Sequence, residues 1–387
     1  MTHRLYYDKS YLTDFDSAVT ACQPTDAEYE VALRESAFYP TSGGQPFDTG
    51  CLLADGKALS VTDVRVDKEG EVWHRISEPL APGTDVHGRI DWERRFDHMQ
   101  QHGGEHMLAG AAYELFRGST IGLHLGREDS SIDVTLPDGR THLTDAERTA
   151  LETLVNRRIQ QDAPVRCWFP GAEELKSLPL RKAPTVSEHI RIVAFGDYEM
   201  VACGGTHPSS AGQIGLVKIL SVTPAKGKAR IAFLCGMRAF RYLDACQKAA
   251  EACGALLSCK VAELTDAVER LKEQSLQLTR ALTRSRADDY LHTMTDNADN
   301  GLCVLWLEGV DTDALTLAAG EYIKASGRLL LCGGNGRLTF ARSADRNEDM
   351  AALLRQVARG GGKPDYATGA GDAQALKSAR EILTGRA

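Results

Sequence analysis

Two short motifs about a hundred residues apart constrain this chain more than any other feature: His102-Gly-Gly-Glu-His106 and Cys203-Gly-Gly-Thr-His207. On a helix, two imidazoles four residues apart lie on one face within reach of one ion. The second motif adds a thiolate and a third imidazole across a glycine-rich turn. His and Cys are the ligands Zn²⁺ favours, and four of them suit its tetrahedral shell. The expectation is one Zn²⁺ per chain, held by His102, His106, Cys203 and His207, so a helix and a distant loop must meet in the fold. Four bound ligands are the pattern of a structural site, whereas a loosened one opens a position for a hydrolytic water; the sequence leaves both open.

The rest of the 387 residues bounds the answer. That length favours two or three domains. Ten cysteines at irregular spacing do not resemble a secreted disulfide framework, and the N-terminus carries no apolar run of signal-peptide type. A cytoplasmic, soluble protein is expected, with no membrane partner. The formal charge of −8 argues against indiscriminate nucleic-acid binding. Six basic residues from Lys218 to Arg241, among them Lys226, Lys228 and Arg230, nevertheless occur without an intervening Asp or Glu. They read as a nucleic-acid contact or as a solvated strand edge. Arg181-Lys182 and Arg191 form a weaker cluster.

An α+β multidomain chain is expected, in four parts. Residues 1–92 alternate apolar and polar positions in short runs (Tyr29, Val31, Leu33; Val64, Val66; Val86, Ile90), punctuated by Asp55-Gly56 and Pro82-Gly83, which suggests a small β-barrel. Within it, Ser42-Gly43-Gly44-Gln45 reads as a tight turn or a closely approached backbone. Residues 93–239 read as an α+β zinc-containing domain with helices over Arg94–Arg117 and Leu143–Gln161, the second opened by Thr144 with Glu147 three residues on. Residues 240–290 carry a heptad seam, Leu257, Val261, Leu264, Val268, Leu271, Ser275, Leu278 and Leu282, as in a helical arm, a hairpin or a dimer contact. Residues 291–387 return to α/β, with an Asn335-Gly336 hairpin turn. There Gly360-Gly-Gly-Lys-Pro-Asp365 reads as an interhelical loop. It is not a phosphate-binding Walker A loop, because Pro364 follows Lys363 where Ser or Thr is required.

The S-G-G-Q motif, the H-x-x-x-H helix with its later C-G-G-T-H, and the C-terminal G-G-G-K-P-D run, in this order, resemble the alanyl-tRNA editing proteins (AlaX, long form). The likeness also covers the editing and C-terminal parts of alanyl-tRNA synthetase, without an aminoacylation domain. It extends over essentially the whole chain. The resemblance implies a trans-editing hydrolase that deacylates alanine tRNA mischarged chiefly with serine, with glycine as the second candidate. A pocket that accepts alanine cannot exclude glycine by size and rejects an added hydroxyl only modestly, so a second hydrolytic site supplies the discrimination. The resemblance further assigns Ser42, Gly43, Gly44 and Gln45 to substrate selection, and His124 and Asp133 to the cavity wall. It assigns Lys218, Lys226, Lys228, Arg230 and Lys363 to tRNA binding, with possible homodimerisation through the arm or the C-terminal domain. Gly103 stands where many relatives carry Thr, so a contact to the serine hydroxyl is in question.

Two other readings share these residues. His102-Gly-Gly-Glu-His106 satisfies H-x-x-E-H, the signature of a metallopeptidase class whose Glu is the general base. Such sites complete the zinc shell with a carboxylate, and this chain offers Cys203 and His207 instead. Glu105 serves as a base only if it turns inward, because helical geometry rotates it some 100° from His106 toward solvent. The third reading is a non-catalytic, zinc-stabilised tRNA-binding protein.

Overall fold

The computed structural model describes residues 1–184 and 189–385. These form two compact units, Met1–Ala249 and Ala250–Ala387. The boundaries drawn from sequence at 92/93 and 239/240 fall inside the first.

The first unit opens with a seven-stranded antiparallel sheet built from Asp14–Pro24, Tyr29–Leu33, Gly50–Ala54, Lys57–Val61, Asp63–Val66, Val72–Ile76 and Asp85–Ile90. The long strand Asp14–Pro24 pairs with Asp85–Ile90 along its first half and with Tyr29–Leu33 along its second, so it belongs to both halves of the sheet. Lys57–Val61 and Asp63–Val66 are the two edges, yet only Thr62 separates them in sequence. One residue spans too little distance for a flat seven-stranded sheet, so the sheet must curl until its edges approach. Phe15, Val31, Phe38, Leu52, Val64, Val86 and their neighbours fill the space enclosed. Asp55 and Gly56, both at positive φ, make the two-residue hairpin turn that their sequence announces.

Helix α1, Trp92–Phe116, follows directly, capped by the Asp91 side chain on the Arg94 amide. It is buried nearly all round from His98 to Ala112. Gly104 permits this closeness, since a Cβ there would lie 2.1 Å from the Cys235 sulfur. A four-stranded antiparallel sheet, in the order Ser119–Leu125, Ser130–Thr135, Lys228–Cys235, Val217–Ala225, packs on α1 together with α2, Asp145–Gln160. Thr144 and Glu147 form the reciprocal capping box expected at the start of α2. After the short α3, Ala172–Ser177, a three-stranded sheet of Val165–Trp168, Ile192–Phe195 and Glu199–Ala202 leads into the Cys203 turn. Helix α4, Gly236–Leu257, carries the chain out of the unit.

In the second unit, α5, Leu264–Asp296, is a single 33-residue helix. Of the expected seam, Leu264, Val268, Leu271, Ser275, Leu278 and Leu282 lie along it, with Val268, Leu271, Leu278 and Leu282 exposed, whereas Leu257 ends α4 and Val261 stands in the turn between the helices. A six-stranded mixed sheet follows with α6, Thr312–Tyr322, α7, Met350–Val357, and α8, Ala373–Thr384. The Asn335-Gly336 turn joins its Leu329–Gly334 and Arg337–Arg342 strands. The Gly360–Asp365 run is not an interhelical loop. Arg359–Gly362 is the exposed edge strand of this sheet, hairpinned to Tyr366–Ala370 through Lys363 at the turn. The glycines are needed because a Cβ on Gly360 would lie 2.5 Å from Gly369 Cα in the facing strand. Among the described residues, no helix is long and apolar enough to cross a membrane.

One buried ion pair joins the curled sheet to α1. Arg95 and Asp48 have fully buried side chains, and the guanidinium reaches both carboxylate oxygens from Nε at 3.1 and 3.0 Å. Its remaining nitrogens donate to the carbonyls of Ser10 and Ala37 at 2.8 and 2.6 Å. Asp48 also accepts from the Tyr39 amide at 2.6 Å, which closes the segment carrying Ser42–Gln45. Removing one partner of such a pair strands the other charge, at a cost of about 3–5 kcal/mol. Asp48→Ala is therefore expected to lower the unfolding free energy by about that amount in denaturant titration; a loss below about 1 kcal/mol would show that the pair does not hold the junction.

Candidate metal centre

The side-chain ligand atoms of His102, His106, Cys203 and His207 all lie within 4.8 Å of one another, from residues that are buried or nearly so. The four expected ligands are brought together. Cys203 Sγ is 3.4 Å from His102 Nε2 and 3.3 Å from His207 Nε2. Tetrahedral zinc bonds of about 2.0–2.3 Å place sulfur and nitrogen ligands about 3.5 Å apart, so the spacing fits such an ion. His106 makes a second argument for a cation. Both its ring nitrogens, and Nδ1 of His207, are buried without a hydrogen-bond partner among the described residues, and an ion at the cluster would satisfy one nitrogen of the His106 ring.

Electrostatics favour ligation at Cys203 and His207, whereas at His106 the lowering by burial is outweighed by Cys203 and Glu199, which raise its pKa to about 10. Burial opposes the Cys203 thiolate, but His102 and His207 beside it outweigh that and hold its pKa well below the ordinary thiol value. The Gly205 amide donates to the sulfur at 3.4 Å. Burial holds the His207 pKa well below the usual imidazole value and so keeps the ring neutral, the form that ligates.

Gln45 determines which nitrogen His102 offers. The Thr206 amide donates to Gln45 Oε1 at 3.1 Å, and Gln45 Nε2 donates to Thr206 Oγ1 at 2.8 Å, which orients the carboxamide. Oε1 also faces His102 Nδ1 at 2.9 Å. An amide oxygen only accepts, so Nδ1 carries the proton and Nε2 presents its lone pair toward Cys203. Gly205 packs against that same ring: a Cβ there would lie 2.2 Å from His102 Cε1. The Ser42–Gln45 segment reaches this point through a tight turn with reciprocal bonds between residues 42 and 45 and positive φ at Gly43 and Gly44.

The cluster borders a cavity of about 240 Å³ lined by Gly43, His102, Glu105, His106, Thr120 to Leu123, Arg181 and Cys203. That is below the range of about 300–1,000 Å³ usual for drug-sized ligands, so it suits a small group. Glu105 is not solvated as the helical angle alone suggested, because α1 is covered on every side here. It lines the cavity, and burial raises its pKa against the opposing pull of His106 and His102. Of the turn residues, Gly43 lines the cavity, whereas Ser42 is exposed and Gln45 lies buried behind His102.

Three expected contacts lie elsewhere. Gly103 faces away from the cavity, and a Cβ on it would meet Ile214 at 3.0 Å and Pro208 at 3.4 Å. Ile214 and Pro208 do not line the cavity, so a side chain at position 103 would pack behind it. His124 is exposed, beyond Leu123 on the same strand. Asp133 is held by Arg230 at 2.7 and 2.9 Å, whose hydrogen bonds keep the carboxyl below its ordinary range. The cavity wall from that sheet is the backbone and side chains of Thr120–Leu123 instead.

The basic residues also separate. Lys218 is bound to Glu152 at 2.8 Å and Arg230 to Asp133. Lys226 and Lys228 flank the exposed Lys226-Gly227 hairpin turn and enter no ion pair among the described residues. Lys363 is exposed at its own hairpin turn in the second unit.

Several residues were not singled out as parts of the site from sequence. Glu199 is buried and bound by Arg181 at 2.7 and 2.8 Å, while its Oε1 lies 4.0 Å from His106 Nδ1. Arg181 also donates to Thr120 Oγ1 at 2.8 Å. Arg191 donates to the carbonyls of Cys203 and Gly205 at 3.1 and 2.9 Å, clamping the turn that carries the thiolate. The available signal was the isolated Arg181 and Arg191, which read only as a weak basic cluster, and Thr206 inside its motif. The Glu199 carboxylate is committed to Arg181, so the carboxylate ligand of an H-x-x-E-H peptidase is not supplied from there.

The chain is similar over 95% of its length to the protein named alanyl-tRNA editing protein AlaX-L of Pyrococcus horikoshii, at 30% identity and covering 94% of that protein. The chain belongs to the alanyl-tRNA editing proteins. It is also 28% identical to the mouse alanyl-tRNA editing protein Aarsd1, over 91% of this chain and 90% of that one. Two family models match within it: tRNA synthetases class II (A) at residues 7–94, and the threonyl and alanyl tRNA synthetase second additional domain at residues 190–232. The second covers Arg191, Cys203 and His207. The alanine–tRNA ligase of Pyrococcus furiosus is 38% identical over 251 residues, 62% of this chain but 26% of the ligase. The ligase of Pyrobaculum neutrophilum matches along 98% of this chain and 44% of its own length. The chain thus spans between a quarter and a half of the ligases it matches.

Holding the His102 tautomer is the work of an outer-shell partner, whose loss typically weakens metal binding about 10–100-fold. Gln45→Ala is expected to lower Zn²⁺ affinity by that factor in competition with a chromophoric chelator, with the fold retained. Unchanged affinity would remove the assigned role of the carboxamide.

Proposed function

We propose that this protein hydrolyses the ester joining a wrongly attached amino acid, serine or glycine, to alanine tRNA, at a zinc site formed by His102, His106, Cys203 and His207. The observation that carries the proposal is the convergence of these four residues beside one small cavity, which His102, His106, Cys203 and Glu105 line, in a chain similar over 95% of its length to a protein named for alanyl-tRNA editing. A bound Zn²⁺ would supply a Lewis acid beside the substrate carbonyl. Gln45 holds His102 in its ligating tautomer, Arg191 fixes the Cys203 turn, and Glu105 lines the cavity as the base that takes a proton from the attacking water. Arg181 and Glu199 hold the far wall through Thr120. With position 103 turned toward Ile214, selection of serine does not rest on a hydroxyl there. Gly43 and the wall from Thr120 to Leu123 are the contacts assigned to the aminoacyl group.

Alanine tRNA charged separately with serine, glycine and alanine tests this. The expected result is rapid release of serine or glycine with alanine spared, reduced at least a hundredfold in Cys203→Ala. No release of any amino acid by zinc-loaded protein would overturn the assignment.

Lys226, Lys228 and Lys363 are proposed to bind tRNA backbone, whereas Lys218 and Arg230 already spend their charges on Glu152 and Asp133. Replacing Lys226 and Lys228 by Gln should weaken tRNA binding and reduce the slope of log affinity against log salt by about one per lost contact. Lys218→Gln should do so less. Equal effects at all three positions would show that the ion pairs do not withhold these charges.

A further inference from the structure

A second cavity of about 620 Å³ lies in the first unit, beside the one that borders the ligand cluster. The two share their walls. Gly43 lines the first and Pro46 the second, at either end of one turn; Leu123 lines the first and Gly126 the second, along one strand. His102 and His98, four residues apart on α1, line the first and the second respectively. The second cavity therefore begins about one helical turn, roughly 5.4 Å, from the ligand cluster.

Four arginines line it: Arg94, Arg127, Arg238 and Arg241. Arg238 is committed, donating to both oxygens of Asp97 and to the Gly126 carbonyl at 2.7 Å, so it builds the wall. The other three guanidinium groups have no carboxylate partner among the described residues. Arg94 rests over the Phe47 ring and donates only Nε, to the Phe47 carbonyl at 3.0 Å. Arg127 and Arg241 are exposed and enter no ion pair among the described residues. Glu128 is the single acid left to face them. His98 forms part of the wall with only 4% of its surface exposed, and its Nδ1 has no hydrogen-bond partner. A ring nitrogen buried without a partner among the described residues, in a wall that also carries three arginines lacking a carboxylate partner there, marks a cavity suited to an anion with hydrogen-bonding oxygens. In a chain of net charge −8, such a concentration of free arginine is a local exception.

We propose that this second cavity binds the phosphodiester backbone of the RNA 3′ end whose terminal ester occupies the first cavity. The proposal rests on the ester-hydrolysis reading for its choice of ligand. Arg94, Arg127 and Arg241 contact phosphate oxygens, and the Ser42–Gln45 turn with Pro46 divides the backbone subsite from the reacting ester. The cavity thereby measures how far the ester lies from the preceding phosphates, which makes it a selector for nucleotide-linked esters over free ones.

The test uses full-length, zinc-loaded protein and an uncharged hairpin RNA with a single-stranded 3′ tail, so its readout is binding and not hydrolysis. A second RNA carries neutral methylphosphonates at its last two linkages, and inorganic phosphate serves as competitor. The expected result is about a tenfold weaker affinity for the neutral-linkage RNA, and a similar loss for Arg241→Gln and Arg94→Gln on the natural RNA. Each variant should then lose less affinity than the wild type on neutralising the linkages. Arg241 is exposed on the second turn of α4, so its variant keeps the test available if Arg94→Gln fails to fold. Equal wild-type affinity for the two RNAs would overturn the proposal, as would variants that lose as much as the wild type on neutralising the linkages. Competition by millimolar inorganic phosphate that disappears in Arg241→Gln would support a backbone-phosphate site, and competition that persists would count against it. Should the protein bind in this charge-dependent way yet release no amino acid from charged tRNA, the subsite stands and the hydrolase reading falls.

Discussion

The carboxamide of Gln45 is the junction on which the site depends. It lies 57 residues before His102 and 161 before Thr206, and bonds to both. Three segments with no sequence proximity are thus referred to one planar group: a turn of the curled sheet, the middle of α1, and the loop carrying Cys203 and His207. The group has one acceptor oxygen and one donor nitrogen, so a satisfied arrangement admits a single orientation. That orientation dictates the His102 proton and hence the nitrogen available to a metal. The Ser42-Gly-Gly-Gln45 motif therefore serves the cluster from behind as well as the cavity from in front, where Gly43 forms part of the wall.

Arginine does the corresponding structural work at longer range. Arg95 ties the sheet to α1 through Asp48, Arg191 holds the carbonyls around Cys203, Arg181 fixes Glu199 and Thr120, and Arg238 fixes Asp97. Each guanidinium presents a planar fork of donors that can satisfy a carboxylate and a carbonyl at once, which a lysine ammonium does with less directional control. The distribution separates structural from available charge. Arginines with carboxylate partners build the site, while Arg94, Arg127 and Arg241 remain free around a neighbouring cavity.

Helix α1 shows why this region is dense. Its central residues combine histidines, glutamines, a glutamate and glycines in a helix covered on every side. Glycine inside a helix costs roughly 0.5–1 kcal/mol relative to alanine. At position 104 that cost permits close approach by Cys235, and at position 110 by Glu199, whose carboxylate a Cβ would meet at 2.9 Å. The helix is thereby placed deep enough for Glu105 and His106 to be buried where they line the cavity.

The sequence alone determined the four residues of the His/Cys cluster, the capping box of α2, the Asp55-Gly56 and Asn335-Gly336 turns, and the family. These are carried by residue type at short spacing, where helical period, turn stereochemistry and ligand preference act locally. Which face of α1 meets the cavity was not legible, because a helical period gives angles between residues but not the direction of the helix in the fold. Glu105 accordingly turned out buried, and Gly103 turned toward Ile214 rather than substrate. The placement of His124 outside the cavity, the pairing of Asp133 with Arg230 and the edge hairpin at Gly360–Gly362 depend on strand partners chosen across long stretches of chain. The Gln45–His102, Arg95–Asp48 and Arg181–Glu199 contacts are of the same kind. Only the tertiary structure decided them, since each joins residues whose types are unremarkable singly and acquire their roles through burial together.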